Sequence, residues 1–466
     1  MTPLFDLAVI GSGVVGCAVF RESVLAGLDT LMIERAPDLL AGASKANSAI
    51  LHTGFDSKPG SLEQRLIRAG HREYLAIHER LGLPLLKTGA TLVAWNDQDL
   101  AQLDGIDAAA RQNGVSLHRL DAEGVRRREP SLAPTACGGL VVDEESLIDP
   151  WSAPLAYAQQ AVVNGGVFLR NSPVASGTYE DGAWTLRLED RGEGEKTVRA
   201  RVVVNCAGLQ GDIVEAIARS SPFTIKPRKG QFIVYDKSAY GLISSVILPV
   251  PSPVTKGIVA TRTVFGNLLV GPTAEPQDDR DVAALGRPQL ESLKAAGERL
   301  LPSLARHDIT ATYAGLRPAT EFSDYQIEAL PDRGWITVGG IRSTGLSSAL
   351  GIARHVRGLY EESFGRCRPL ADPLWPRVPN LTEEFPRPGF QPDRDDIICH
   401  CESVTRAEIR AALSDSPLPA GCIGGLRRRT RCMMGRCQGF YCTRRVVELA
   451  APYLPELATL GPGGAA

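Results

Sequence analysis

A chain of 466 residues is too long for one ordinary domain; at roughly 150 residues per domain it divides into about three. Its 44% hydrophobic and 22% charged residues exclude a disordered or fibrous chain, and 47 glycines point to tight turns and close backbone approaches. A formal net charge of -2 excludes a global field that gathers nucleic acid or an acidic membrane surface, so any basic site is local.

The opening MTPLFDLAVIGSG lacks the features of a secretory signal, and no segment approaches the roughly 20 apolar residues of a membrane span. Both observations lead us to expect a cytoplasmic chain, with any membrane contact made through a partner. Residues 6–10 read as a buried strand, Val14 to Ala26 has helical apolar spacing, and Leu28 to Ala36 reads as a second strand. That order is a βαβ unit with parallel strands. Residues 75–135 mix helical and strand patterns, Arg199 to Gly208 is an apolar strand ending in glycine, and 221–275 alternate like antiparallel strands. Trp335 to Gly340 is a further strand, followed by a helix-like run from Leu346 to Phe364. Prolines then crowd 369–394, a linker composition, and the closing GPGGAA reads as disordered. Six of the ten cysteines fall between Cys399 and Cys442, a crowding that suits metal ligation better than disulfides. There is no internal repeat.

Gly11-Ser12-Gly13-Val14-Val15-Gly16 is a GxGxxG motif set between strand and helix, where its mechanism works. Gly11 permits the turn, Gly13 lets a pyrophosphate approach the backbone, and Gly16 lets helix and strand pack closely. Glu34, ending the second strand, suits a ribose diol and repels a 2'-phosphate, which argues against NADP. A glycine turn without ligand is the plain alternative. Gly339 to Leu346 also leads from strand into helix, so its N–H groups and dipole face a flavin ring if one is bound; this favours FAD over NAD.

The segments DLAVIGSGVVG, GASKANSAILHTGFD, VVNCAGLQGD, KPRKGQF, PSPVTKGIVATRTVFGNLLVGPT, YAGLRPAT and GIRSTGLSSALGIA together resemble the D-amino-acid-oxidase-like superfamily of FAD oxidoreductases. The resemblance is greatest to anaerobic-type glycerol-3-phosphate dehydrogenase large subunits and the related oxidases, with L-2-hydroxyglutarate oxidases next. It implies a cofactor-lining set of Gly11, Gly13, Val14, Val15, Gly16, Glu34, Arg35, Ser44, Lys45, Asn47, Ser48, Val174, Ala207, Gly208, Asp212, Gly315, Gly340, Thr344, Gly345 and Leu346.

A flavin accepts the hydride, so the protein must hold the substrate and remove a proton. His52 has a near-neutral ordinary pKa and follows an apolar pair in the flavin-facing loop; it is a general base or a structural hydrogen-bonder, and the resemblance supports the base. Lys256 and Arg317 suit an anion, Arg317 bidentately, with surface ion pairs as their bland alternative. The resemblance favours substrate contact for both. Ser347 and Ser348 read as helix-start hydroxyls rather than ligands. Phe265 stands where histidine is expected in relatives, which implies a changed pocket beside the substrate.

Cys399-His400-Cys401 and Cys437-Gln438-Gly439-Phe440-Tyr441-Cys442 supply two thiolate pairs, suited to a 2Fe-2S cluster or to zinc. ICHCESVT and LRRRTRCMMGRCQGFYC resemble the bacterioferritin-associated-ferredoxin-like domain, which implies 2Fe-2S on Cys399, Cys401, Cys437 and Cys442. Cys432 with Cys437 is a rival frame. Arg427 to Arg431 read as a solvated basic patch or as charge compensation for a cluster.

The expected architecture is α/β: a Rossmann-like FAD domain (1–75, 136–220, 326–366), an inserted antiparallel β-rich cap (76–135, 221–325), a linker (367–395), a small α-helical iron-sulfur domain (396–455) and a disordered tail (456–466). The expected function is oxidation of a small anionic hydroxy compound, with electrons leaving through flavin and cluster to a partner flavoprotein or quinone. A secondary-amine or amino-acid dehydrogenase, and a non-catalytic electron-transfer protein, are the alternatives.

Overall fold

In the computed structural model, which describes residues 3–189, 196–251, 257–385 and 396–460, the first apolar segment becomes the middle of a sheet. Residues Leu7 to Ile10 are buried throughout, as a run without alternation requires of a central parallel strand. Strand Leu4–Ile10 pairs in parallel with Thr30–Ile33 on one side and Lys196–Asn205 on the other, so that Val9 lies between Met32 and Val204. Val167–Leu169 extends the first side; Trp335–Gly339 and the antiparallel Gln326–Leu330 extend the second. Chain order therefore reverses at Leu4–Ile10, and such a sheet opens its ligand crevice beyond the strand ends at that point.

Helix Val14–Leu25 is buried along nearly its whole length because helices Ser152–Val163 and Gly345–Ser363 pack against it. Helix Leu62–Leu81 is amphipathic, begins on the Ser61 hydroxyl, which accepts the Gln64 N–H at 3.1 Å, and ends on Gly82 at φ +74°. It crosses Gly345–Ser363 where Gly70 and Gly351 meet backbone, and a Cβ at either would collide with the Ser347 or Leu66 carbonyl. This helix continues past the expected boundary at 75, because its apolar face belongs to the nucleotide-domain core.

The second sheet has nine strands, running from Glu275–Pro276 through Lys226–Tyr235, Leu268–Gly271, Val259–Arg262, Val246–Pro249, Ala90–Ala94 and Gly138–Val142 to His118–Asp121. Ile309–Ala319 pairs along the length of Lys226–Tyr235. Gly138–Val142, expected in the FAD domain, lies here instead, between Ala90–Ala94 and His118–Asp121.

Residues 367–385 have no regular structure, as their prolines require, but they are bound to the body rather than free. The Leu370, Val378 and Glu383 amides donate to the carbonyls of Leu25, Leu81 and Val264 at 2.9–3.0 Å, and the Arg80 guanidinium lies 3.6 Å from the Trp375 ring centroid. Residues 396–460 form a separate small body with its own core of Ile398, Ile409, Leu413, Leu426, Val446 and Leu454 around helices Arg406–Arg410, Ile423–Thr430 and Thr443–Ala450. The disordered tail expected from 456 does not hold for its first residues, since Pro455–Leu460 forms a 3-10 turn and Leu457 joins that core; 461–466 lie outside the described residues. No helix among the described residues is long and apolar enough to cross a membrane.

Candidate functional site

The glycine turn is built as its motif requires. Gly11 adopts φ +102°, a conformation that strains other residues, and a Cβ there would sit 2.6 Å from the Cys206 carbonyl oxygen and 3.2 Å from the Ala207 Cα. The turn at Ala207 and Gly208 is thereby brought against it. A Cβ at Gly16 would collide with the Gly11 carbonyl, so Gly16→Ala is expected to abolish retention of FAD; a purified variant with one FAD per chain would contradict this cause. The Val14 N–H is directed at the Ser44 hydroxyl, 3.0 Å away.

Helix Gly345–Ser363 begins beside this turn: a Cβ built on Gly345 lies 3.8 Å from Val14 and 3.9 Å from Val15 side-chain carbons. Two helix N-termini thus converge, and both present partial positive charge where a pyrophosphate and a reduced ring would lie. The bend ahead of the second helix is pinned by Tyr325, whose hydroxyl meets Thr344 Oγ1 at 2.6 Å and Ser348 Oγ at 3.0 Å, while Thr344 Oγ1 donates to Glu63 at 2.6 Å. Gly340 turns the chain at φ +72°, and Leu346 is buried. Glu34 accepts from the Ser12 N–H (2.9 Å), the Ser12 hydroxyl (2.7 Å) and the Ala36 N–H (2.9 Å), which fixes its carboxylate at the strand end where a ribose belongs. These features fit an FAD: Gly11, Gly13, Val14 and Val15 would face its pyrophosphate, Glu34 its ribose, and Gly345 and Leu346 its ring.

Other expected cofactor residues are placed differently. Arg35 is half-exposed and pairs with Asp281 at 2.5 Å. Burial pushes the Asp212 carboxyl up, but Arg280, bonded at 2.9 Å, holds it below its usual range, and that pair ties helix Gly211–Glu215 to the segment before helix Arg287–Leu300. Val174 starts the hairpin strand Val174–Glu180 and packs against the cluster of Ile10 and Ile33. The loop carrying Ser44, Lys45, Asn47 and Ser48 is held by backbone: Tyr313 OH donates to the Asn47 carbonyl at 2.7 Å, Trp151 Nε1 to the Lys45 carbonyl at 3.0 Å. Gly315 passes so close to Ala46 that a Cβ would collide with it.

His52 follows strand Ile50–Leu51, which pairs antiparallel with Ser146–Leu147. Its N–H donates to Ser347 Oγ at 2.8 Å, so Ser347 ties the His52 segment to helix Gly345–Ser363 rather than capping that helix. The next register position sets His52 opposite Glu145, which the sequence reading missed. Glu145 is fully buried, its Oε2 is 3.1 Å from His52 Nδ1, and its Oε1 accepts from the Thr53 N–H at 2.8 Å and hydroxyl at 2.9 Å.

Arg317 lies on the strand face that carries Tyr313 and Gly315 toward the loop of Ala46 and Asn47, since residues two apart share a face. Among the described residues its guanidinium bonds the Thr273 carbonyl, at 3.4 Å, and no carboxylate. Burial, with Arg228 paired opposite, lowers its pKa to about 10, still charged at neutral pH. Gly230 makes room for it: a Cβ there would lie 2.7 Å from the guanidinium. Lys256 lies outside the described residues.

The cysteines come together in twos. Cys401 contacts Cys437, and Cys399 contacts Cys442, with Cys432 beside Cys442. The amides of Tyr441, Gly439 and Phe440 point at the Cys437 sulfur and lower its pKa, the Tyr441 amide most; burial pushes Cys442 up to about 12. No three His, Cys, Asp or Glu side chains among the described residues converge on one point as a metal site. Cys422 caps helix Ile423–Thr430, its sulfur accepting the Gly425 N–H at 3.2 Å.

Three arginines of the basic run are held by protein groups rather than left to solvent. Arg429 grips Asp38 through two bonds of 2.7 and 2.9 Å with both side chains buried, Arg428 donates to the Leu39 carbonyl at 2.9 Å, and Arg431 pairs with buried Glu402 at 2.8 Å. Arg431 also lies 3.8 Å from the Phe265 ring centroid, and Phe265 stacks on Trp151 at 5.6 Å. Phe265 thus links Trp151 to Arg431 of the cysteine module.

A glycine turn feeding a helix, a second helix terminus beside it and a cap sheet over both define a flavin-dependent oxidoreductase. The chain belongs to the DAO family, whose sequence profile, described as FAD dependent oxidoreductase, matches residues 6–359. It is 34% identical over 462 residues to a glycerol 3-phosphate dehydrogenase of Caloramator mitchellensis, covering 96% of this chain and 94% of the relative. It is 24% identical over a 494-residue alignment to one of the subunits of anaerobic glycerol-3-phosphate dehydrogenase from Escherichia coli K12, covering 95% and 87%. Among solved structures, dithionite-reduced L-alpha-glycerophosphate oxidase from Mycoplasma pneumoniae with FAD bound superposes with a TM-score of 0.73 at 26% identity, covering 80% of this chain and 97% of the oxidase.

Proposed function

We propose that the protein is a dehydrogenase of a small anionic hydroxy compound, glycerol 3-phosphate first and L-2-hydroxyglutarate next, that passes its electrons to a partner protein. Arg317 carries the reading: a half-buried guanidinium with no carboxylate partner among the described residues, on the strand face turned to the flavin-facing loop, is a site held ready for an anion. His52 takes the hydroxyl proton, Arg317 holds the phosphate or carboxylate, and Lys256 adds a second cation by resemblance. Bound FAD supplies the hydride acceptor. The similarity to glycerol 3-phosphate dehydrogenases along nearly the whole chain supports the substrate choice.

Turnover with an artificial acceptor tests it. A ketone product without ammonia or amine release is expected; release of ammonia or amine would move the assignment to amino-acid or secondary-amine oxidation. Arg317→Ala is expected to raise KM by roughly 10- to 150-fold, the loss of a charged hydrogen bond worth about 1.5–3 kcal/mol. An unchanged KM would remove Arg317 from the substrate site.

Cys399, Cys401, Cys437 and Cys442 are the proposed ligands of a 2Fe-2S cluster, which would release electrons singly. Two adjacent sulfur pairs suit two irons, each taking two thiolates, better than one zinc that needs four converging donors. Phe440 and Tyr441, 84% and 79% exposed beside Cys437, form the proposed contact with the electron-accepting partner. The similarity to the Escherichia coli protein, which is named as one part of a multi-chain enzyme, supports such a partner. Equal amounts of iron and acid-labile sulfide are expected, and stoichiometric zinc instead would contradict the cluster.

A further inference from the structure

We infer that Glu145 is the positioning residue of the base: it holds the His52 imidazole with its proton on Nδ1, leaving Nε2 unprotonated to take the substrate's hydroxyl proton. The inference rests on the proposed role of His52 and deepens it.

Register supplies the first argument. Ile50 pairs with Leu147 and Leu51 with Ser146, so the next antiparallel pair is His52 with Glu145, and neither residue can turn away without breaking that short ladder. Burial supplies the second. Glu145 is fully buried, and no arginine or lysine among the described residues pairs with it. Its Oε1 is satisfied by Thr53, but Oε2 has no hydrogen bond, although it lies 3.1 Å from Nδ1. The separation is that of a hydrogen bond, although the geometry here does not make one. A buried carboxylate oxygen is retained at such a place only with a partner, and imidazole Nδ1 is the partner within reach. Chemistry supplies the third. The carboxylate accepts only, so Nδ1 must carry the proton, Nε2 is the acceptor, and a nearby negative charge strengthens it as a base. Backbone completes the clamp, because the His52 N–H is fixed to Ser347 Oγ at 2.8 Å and Thr53 to Glu145. The other charged groups facing Glu145 are His71 from helix Leu62–Leu81, whose charge interacts with it, and the neighbouring Arg68–Glu144 pair at 3.4 Å.

Two experiments on FAD-loaded protein test this. In holoenzyme with 15N-labelled histidine, neutral His52 is expected to be protonated at Nδ1, and Glu145→Gln, which can donate, is expected to shift the proton toward Nε2; wild-type His52 protonated at Nε2 overturns the inference whatever the substrate is. In anaerobic flavin reduction by the substrate that bleaches the wild type, Glu145→Gln is expected to lower the maximal rate by about 100-fold or more, with KM and dithionite reduction unchanged. Its acid limb is expected to move to lower pH, because the imidazole loses the charge that strengthens it. His52→Ala combined with Glu145→Gln is expected to be no slower than His52→Ala alone. An unshifted acid limb, or additive losses, overturns the positioning role. Should Glu145→Gln fail to fold, Glu145→Asp, which keeps the charge but draws it away from Nδ1, is expected to show the same pH shift in smaller measure, and its absence counts equally against the role. Wild-type flavin bleached by no hydroxy compound would defeat the substrate reading while leaving the tautomer measurement to judge Glu145.

Discussion

Replacing His52 with alanine is expected to slow anaerobic flavin reduction by substrate by about 10²- to 10⁴-fold, the usual contribution of a positioned general base. The effect should fall on the rate at saturating substrate. His52 is fixed by a strand ladder, by Ser347 and by Glu145, and the proposed anion holder is a different residue, Arg317, so binding should lose little. FAD content should stay at one per chain, since the cofactor features cluster at the Gly11 turn and the Gly345 helix start. A tenfold rise in KM with an undiminished limiting rate would recast His52 as a binding residue.

The second large effect is structural. Asp38→Asn is expected to destabilise the docking of the cysteine module by about 3–5 kcal/mol, because it leaves the Arg429 guanidinium buried without its counter-charge. The contact is intimate: a Cβ at Gly421 would collide with the Pro37 carbonyl, and one at Gly425 with the Asp38 carboxylate. Denaturant titration should report release of the module as a separate early transition, with the FAD domain still folded. An unchanged first transition would show that Asp38 and Arg429 do not hold the module. If the module is the electron outlet, the same variant should retain flavin bleaching and lose reduction of the protein acceptor.

Local chemistry was legible in the sequence where it is fixed by neighbours in the chain. The Gly11 turn, the Gly340 to Leu346 entry into a helix and the parallel strand beside each depend on glycine conformation and apolar runs, and all stand where the spacing put them. What depends on pairing across the chain was not legible. Glu145 reads as one more acid in DEES until the ladder sets it against His52, 92 residues from Thr53, its other partner. Gly138–Val142 is an apolar strand in either sheet, and only its partners say which. Arg428, Arg429 and Arg431 look like solvent-facing charge because their partners, Leu39, Asp38 and Glu402, carry no mark of burial in sequence. The proline-rich segment was right in lacking helix and strand, but its backbone bonds to Leu25, Leu81 and Val264 leave no trace in composition.

The most direct test of the flavin dehydrogenase assignment is an anaerobic visible spectrum of the purified protein before and after glycerol 3-phosphate and L-2-hydroxyglutarate. The expected result is a flavin band that bleaches with at least one of them and barely responds in His52→Ala. A folded protein that holds FAD, yields to dithionite and is untouched by either compound would contradict the assignment.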